Sequence, residues 1–313
     1  MRILFAGTPQ IAVPSLQRLH QSFEVAAVLT APDAPSGRGR TPQPSAVKLC
    51  AVERGLPVLQ PARLDAEARE QVAKRRPDLL ACVAYGRIFG ARFLDLFAHG
   101  GVNLHPSLLP RHRGPSPIPA AILAGDRETG ITVQRLALEM DAGDILRQIR
   151  FPLDGSETTG SLSDCVALEG ARLLTATLRD LQLGAIEPRP QDHSRATYCR
   201  LIAADDGLID WNTPVMHIER MVRAYNPWPG AYSFLNGTRL TIHEARAGER
   251  GSGGLAAGTV VAVDKRSGIL IQTGDGLLAV RRLQLQSRKP MDWNSFANGH
   301  RGVVGSVLGG SPH

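Results

Sequence analysis

Between Val102 and Gly114 the chain reads Val-Asn-Leu-His-Pro-Ser-Leu-Leu-Pro-Arg-His-Arg-Gly. Apolar Val102 and Leu104 alternate with polar Asn103 and His105, the pattern of a strand, whose period of two places both polar side chains on one face. Pro106 and Pro110 then end any ladder. An amide beside an imidazole suits transfer of a group between two nitrogens through a tetrahedral oxyanion. The amide is a neutral, fixed donor, and the imidazole donates or carries a proton according to its state. The same pair also occurs where a strand end bonds its own backbone. Further on, Asp141-Ala-Gly-Asp144 offers two carboxylates around Gly143. A carboxylate near His105 would favour the cationic ring and burial would oppose it; Asp-x-Gly is equally ordinary turn chemistry.

Short β-rich runs alternate with helical patterns through the first half. Residues 2–7, 24–30, 57–60, 78–85, 100–105 and 131–137 read as strands, and 11–20, 46–54, 65–75, 91–97 and 117–124 as helices. That order predicts βαβ units, an α/β fold with a doubly wound, mostly parallel sheet. In such a sheet the active site lies beyond the carboxyl ends of the strands, where Asn103 and His105 stand. The run 145–151 is expected to return antiparallel to the strand before it, and a helix is expected over 158–183. The predicted organisation is a catalytic domain over 1–183, a linker over 184–205 and a smaller domain over 206–313. In the last, an amphipathic helix near 214–225 precedes five β-rich pieces with Gly-rich turns, the signature of a small antiparallel barrel.

The chain carries 36 Lys and Arg against 29 Asp and Glu. Residues 206–313 hold 12 of the former against 8 of the latter, so the smaller domain carries the denser positive charge. An anionic partner fits this balance, and so does an Arg-rich composition alone. Cys50, Cys82, Cys165 and Cys199 are far apart and form no C-x-x-C pair, as expected of reduced core thiols rather than a disulfide or zinc site. The start, MRILFAG, is too brief for a signal peptide, and no run approaches the roughly 18 apolar residues of a membrane span, so a cytoplasmic location is expected. Gly7 stands alone in Ala-Gly-Thr-Pro, which excludes a dinucleotide fingerprint and with it a nicotinamide cofactor. His105, His112 and Asp141 lack the paired spacing of a metal site, so no metal is expected. The stretch 31–45 holds four prolines with Arg38 and Arg40, and is longer than a usual βα connection.

Asn103-Leu-His105, followed by Ser107-Leu-Leu-Pro110 and by Asp141-Ala-Gly-Asp144, resembles the catalytic pattern of the folate-dependent formyltransferases. Phe5-Ala-Gly-Thr-Pro9, the stretch 31–40 with Pro44-Ser-Ala-Val-Lys48, Ile209-Asp-Trp211 and Tyr225-Asn-Pro-Trp-Pro229 resemble, within that superfamily, the methionyl-tRNA formyltransferases. These pieces span nearly the whole chain. The resemblance implies a Rossmann-like folate domain joined to an OB-like β-barrel that binds tRNA. It further implies Asn103, His105 and Asp141 as the catalytic set, and Ser107, Leu108, Leu109 and Pro110 lining the site of 10-formyltetrahydrofolate, the formyl donor. Arg38 and Arg40 would contact the acceptor end of methionyl-initiator tRNA, the acceptor. No obligate protein partner is implied, and a monomer is expected. Formylation of an amino sugar, hydrolysis of the formyl folate, or a non-catalytic RNA-binding role are the alternatives. The Gly37-Arg-Gly-Arg40 loop and the basic second domain favour tRNA. The isomer of the Leu109–Pro110 bond stays open.

Overall fold

The computed structural model describes residues 1–36, 41–250 and 254–309. In chain order the first half runs β1 (Arg2–Gly7), α1 (Val13–Ser22), β2 (Glu24–Leu29), β3 (Ala34–Ser36), β4 (Thr41–Gln43), α2 (Ala46–Glu53), β5 (Val58–Leu59), α3 (Ala66–Ala73), β6 (Leu79–Val83), α4 (Ala91–Leu94) and β7 (Gly101–His105). It continues through α5 (Pro117–Ala124), β8 (Glu128–Arg135), β9 (Ile145–Pro152) and α6 (Thr159–Gln182). Apart from its ends, each of β1, β2 and β6 is buried along its length, as unbroken apolar runs require in a sheet covered on both faces.

The seven strands lie in the order β5-β2-β1-β6-β7-β8-β9. From β5 to β7 the neighbours are parallel. Both β8 against β7 and β9 against β8 are antiparallel, so the return expected of 145–151 is present, and one more reversal precedes it. The chain lays β2 and β5 on one side of β1 and β6 and β7 on the other, and a crevice for ligand opens where such an order reverses. Side-chain caps start the short helices: Ser45 accepts from the Lys48 amide at 3.0 Å and Asp65 from the Ala68 amide at 3.1 Å. On α6, Gly170 lies against Leu104 of β7, where a methyl group would meet the leucine at 2.8 Å. A ladder of rings, Tyr85, Phe89, Phe93 and Phe97, with successive centroids 5.4, 5.3 and 5.8 Å apart, joins Leu4, Leu29 and Leu80 in one core. The stretch 31–45 is not wholly irregular: β3 and β4 pair antiparallel, Ala34 opposite Gln43.

Two compact units divide the chain without following it contiguously. One holds Met1–Pro117, Glu128–Pro152 and Leu162–Arg200; the other holds Ile118–Arg127, Leu153–Ser161 and the chain from Leu201. Residues 184–200 thus belong to the first unit, where Arg189 exchanges backbone bonds of 2.8 and 2.9 Å with Ile145.

In the second unit α7 (Val215–Ala224) is followed by β10 (Ala231–Leu235), β11 (Thr238–Arg250), β12 (Val260–Asp264), β13 (Gly268–Gln272), β14 (Gly276–Leu285), β15 (Met291–Asp292) and α8 (Trp293–Gly299). All these strands pair antiparallel, in the order β10-β11-β14-β13-β12, with β15 on β14. The segment 305–309 links the two edges, because Leu308 donates to Gly258 at 2.8 Å and Gly309 to Phe234 of β10 at 3.0 Å. Its apolar interior includes Leu240, Ile242, Val260, Ile269, Ile271 and Val280, together with Phe296 of α8, which is 1% exposed. No helix among the described residues is long and apolar enough to cross a membrane.

Candidate active site

Asn103 and His105 close β7, and the register across to β8 sets Gln134 opposite Asn103 and Thr132 opposite His105. Thr132 and Gln134 are buried polar residues of β8, so the polar cluster continues across two strands. Asp141 occupies the turn between β8 and β9 with φ 53°, a left-handed conformation uncommon outside glycine. Its carboxylate collects three N–H donors: Gln134 Nε2 at 3.0 Å and Asn103 Nδ2 at 3.3 Å on Oδ1, and the Gly114 amide at 2.8 Å on Oδ2. His105 Nδ1 stands 3.6 Å from the same Oδ1. Asn103, His105 and Asp141 therefore converge.

The other ring nitrogen of His105, Nε2, lies 2.9 Å from the His112 carbonyl. A carbonyl only accepts, so Nε2 carries the proton, and a neutral ring presents its lone pair at Nδ1. The side chain is 5% exposed. Burial is the largest influence and holds the imidazole below its ordinary value; the Asp141 charge and the His112 carbonyl pull it up again, and the His112 charge opposes them. This is the environment of a ring kept neutral beside a carboxylate that stabilises it once protonated.

The segment 107–110 follows β7 and is tied to β8 and β9. Ser107 is fully buried, its hydroxyl donating to the Arg111 carbonyl at 2.6 Å and its carbonyl accepting from Thr132 Oγ1 at 2.7 Å. Leu109 is 4% exposed; its amide donates to Thr132 Oγ1 at 3.3 Å and its carbonyl accepts from Gln148 at 3.2 Å. Leu108 and Pro110 are half-buried, and the Leu109–Pro110 bond is cis. Arg38 and Arg40 lie outside the described residues.

Sequence reasoning passed over four residues of this cluster. Gln134 was legible, since Thr132 and Gln134 are polar at a spacing of two within a buried strand. Gly114, Arg113 and Gln191 carried no such signal. Arg113 is 0% exposed, and Gln191 sits in a stretch whose composition is that of a linker. At Gly114, φ is +113° and a methyl group would drive into the Cys199 carbonyl. Gly114→Ala should therefore withdraw the amide from Asp141 Oδ2. The strain of such backbone alone costs on the order of 1–3 kcal/mol, so thermal unfolding should show a clearly lowered midpoint and initial rates a fall of about tenfold or more. An unchanged midpoint and rate would show that the loop absorbs the methyl group.

The family model for formyl transferase matches residues 1–178, and that for the formyl transferase C-terminal domain matches 201–301. The chain is 46% identical to the methionyl-tRNA formyltransferase of Treponema denticola, over 96% of this chain and 97% of that one. It is 43% identical to that of Roseiflexus castenholzii, over 99% of each. Among solved structures, the sugar 3N-formyltransferase WlaRD, in the presence of dTDP and 5-N-formyl-THF, shares the fold at a TM-score of 0.65 and 18% identity, covering 92% of this chain and 99% of that one. HypX from Aquifex aeolicus in complex with tetrahydrofolic acid gives a TM-score of 0.62 at 20% identity, over 97% of this chain and 48% of that one. With two domain models matched in sequence and relatives alike from end to end, this chain belongs to the formyltransferase family, among the methionyl-tRNA formyltransferases.

Proposed function

We propose that this protein transfers the formyl group of 10-formyltetrahydrofolate to the amino group of methionyl-initiator tRNA, giving N-formylmethionyl-tRNA for translation initiation in the cytoplasm. The observation that carries the reading is the convergence of Asn103, His105 and Asp141 at the carboxyl end of β7. The full-length likeness to methionyl-tRNA formyltransferases supports the acceptor, and the tetrahydrofolate and formyl-THF of the two solved neighbours support the donor.

In this reading the neutral methionyl amine attacks the formyl carbon, and the carbonyl oxygen becomes an oxyanion faced by Asn103 and His105. The new C–N bond forms, the amine gives its proton to the His105–Asp141 pair, and the bond from carbon to the folate nitrogen breaks. That nitrogen regains a proton from the pair, so charge and protons balance. Positioned donors act where charge develops, which is where they lower a barrier most. Segment 107–110 lines the folate, Arg38 and Arg40 reach the acceptor end of the tRNA, and the basic residues of the second unit hold the rest of it.

The direct test offers the purified protein 10-formyltetrahydrofolate and, in parallel, methionine-charged initiator tRNA, charged elongator tRNA and an amino sugar on a nucleotide, and weighs the products. Formylmethionyl-tRNA is expected from the initiator; formylation of the sugar alone would assign a different acceptor. In the same assay Arg38→Ala should raise KM for the charged tRNA with folate binding intact, and the tRNA's affinity should fall as salt is added. Salt-independent binding would contradict a phosphate contact.

A further inference from the structure

Gln191 lies on the irregular chain after α6, two residues beyond the Arg189–Ile145 bridge, and is 5% exposed. Its amide nitrogen donates to the Asp141 carbonyl at 2.8 Å and to the Gly143 carbonyl at 2.7 Å, with the Gln134 side-chain oxygen at 3.2 Å. Its oxygen accepts from Arg113 Nη2 at 2.8 Å and Nε at 3.2 Å. A guanidinium has donors only, so Arg113 settles which end of the amide faces the turn. Arg113, fully buried, is held in turn by the Tyr198 hydroxyl at 3.1 Å, by His193 Nδ1 at 3.2 Å and by Glu139 Oε1 at 3.6 Å.

We propose that Gln191 is a positioning residue for formyl transfer: its side-chain amide, oriented by Arg113, grips the carbonyls of Asp141 and Gly143 and so aims the Asp141 carboxylate at His105. The proposal rests on the reading of Asp141 as catalytic. Asp141 holds a left-handed φ of 53°, a conformation that a non-glycine residue keeps only when its surroundings impose it. Two hydrogen bonds to the carbonyls of one turn supply that imposition, and Gly143 completes it, because the Arg135 carbonyl occupies the place a side chain would need. Gln191 touches only the backbone of Asp141 and neither reacting nitrogen of His105, so it acts through the direction of the carboxylate. A buried amide with every polar atom engaged also costs most when it is removed.

The test is a double-mutant cycle on the full chain with 10-formyltetrahydrofolate and methionyl-tRNA, using Gln191→Leu, Asp141→Asn and the pair. A misplacement of about 1 Å at a reacting group costs on the order of 10²-fold in rate, so Gln191→Leu should lower kcat by about 10- to 100-fold with both KM values within about twofold of the parent. In the Asp141→Asn background it should lower kcat no further, since the carboxylate it aims is gone. Gln191→Glu keeps an acceptor for Arg113 but loses the donor to the two carbonyls; it should match the leucine variant, and it carries the test should that variant fail to fold. Parent-like kcat in the Gln191 variants, alongside a crippled Asp141→Asn, would overturn the inference alone. Multiplicative losses in the double variant, or a rise in KM with kcat preserved, would also overturn it. Full activity of Asp141→Asn would remove the catalytic reading beneath it.

Discussion

Asp141→Asn should lower kcat by about 10²–10⁴-fold, the range that a positioned proton-transfer group contributes, while affinity for methionyl-tRNA stays near that of the parent. The substitution preserves size, so the loss is one of charge and of donor–acceptor sense. In the parent, both carboxylate oxygens accept: Oδ1 from Asn103 and Gln134, Oδ2 from Gly114. An amide has one oxygen, and its NH₂ must face either the Gly114 amide or the two side-chain amides, donor against donor. The His105 ring also loses the charge that pulls its protonation upward against burial, so the imidazolium formed during transfer becomes costlier. The Asp141 side chain is 12% exposed, too covered to form part of an extended RNA contact. Equal losses of kcat and tRNA affinity would instead assign it a purely structural role.

Asn103→Ala should cost about 10²–10³-fold in kcat, the usual effect of deleting one oxyanion donor, with KM for the folate little changed. The position separates two roles of one amide. Asn103 Nδ2 donates a hydrogen bond to Asp141 Oδ1 at 3.3 Å, which fixes the plane of the amide and leaves its second N–H for the developing oxyanion. Asn103→Asp removes that donor and adds a second negative charge beside Asp141, so it should be the worse variant. Near-parent kcat for Asn103→Ala would exclude Asn103 as the oxyanion donor.

Much of the fold could be read from the residues because hydrophobic period and turn chemistry are local signals. The buried parallel strands announce themselves as apolar runs, and Asn103 and His105 share a face because a strand has a period of two. What escaped depends on distant partners. The seven residues of α8 carry an Asp292 cap, but Phe296 matters only because the barrel interior receives it. The inclusion of Ile118–Arg127 and Leu153–Ser161 in the second compact unit has no local marker either. At the site, spacing placed Asn103 and His105 on one face and the resemblance added Asp141 as the third member of the proposed catalytic set, whereas Arg113, Gly114 and Gln191 owe their places to contacts across the sequence. A buried arginine is the least expected of these, since charge is seldom fully buried unless paired, and its partners Gln191, His193 and Tyr198 lie some eighty residues away.

In the proposed reaction Asn103, His105 and Asp141 surround the migrating carbon. A crystal structure of the protein with 5-formyltetrahydrofolate, a stable analogue of the donor, tests it most directly. The pterin should lie beside segment 107–110, with the formyl oxygen within about 3.5 Å of Asn103 Nδ2 and the His105 ring on the same side of the carbon. A folate bound elsewhere, or a formyl group turned away from Asn103 with Asp141 no longer facing His105, would contradict the account.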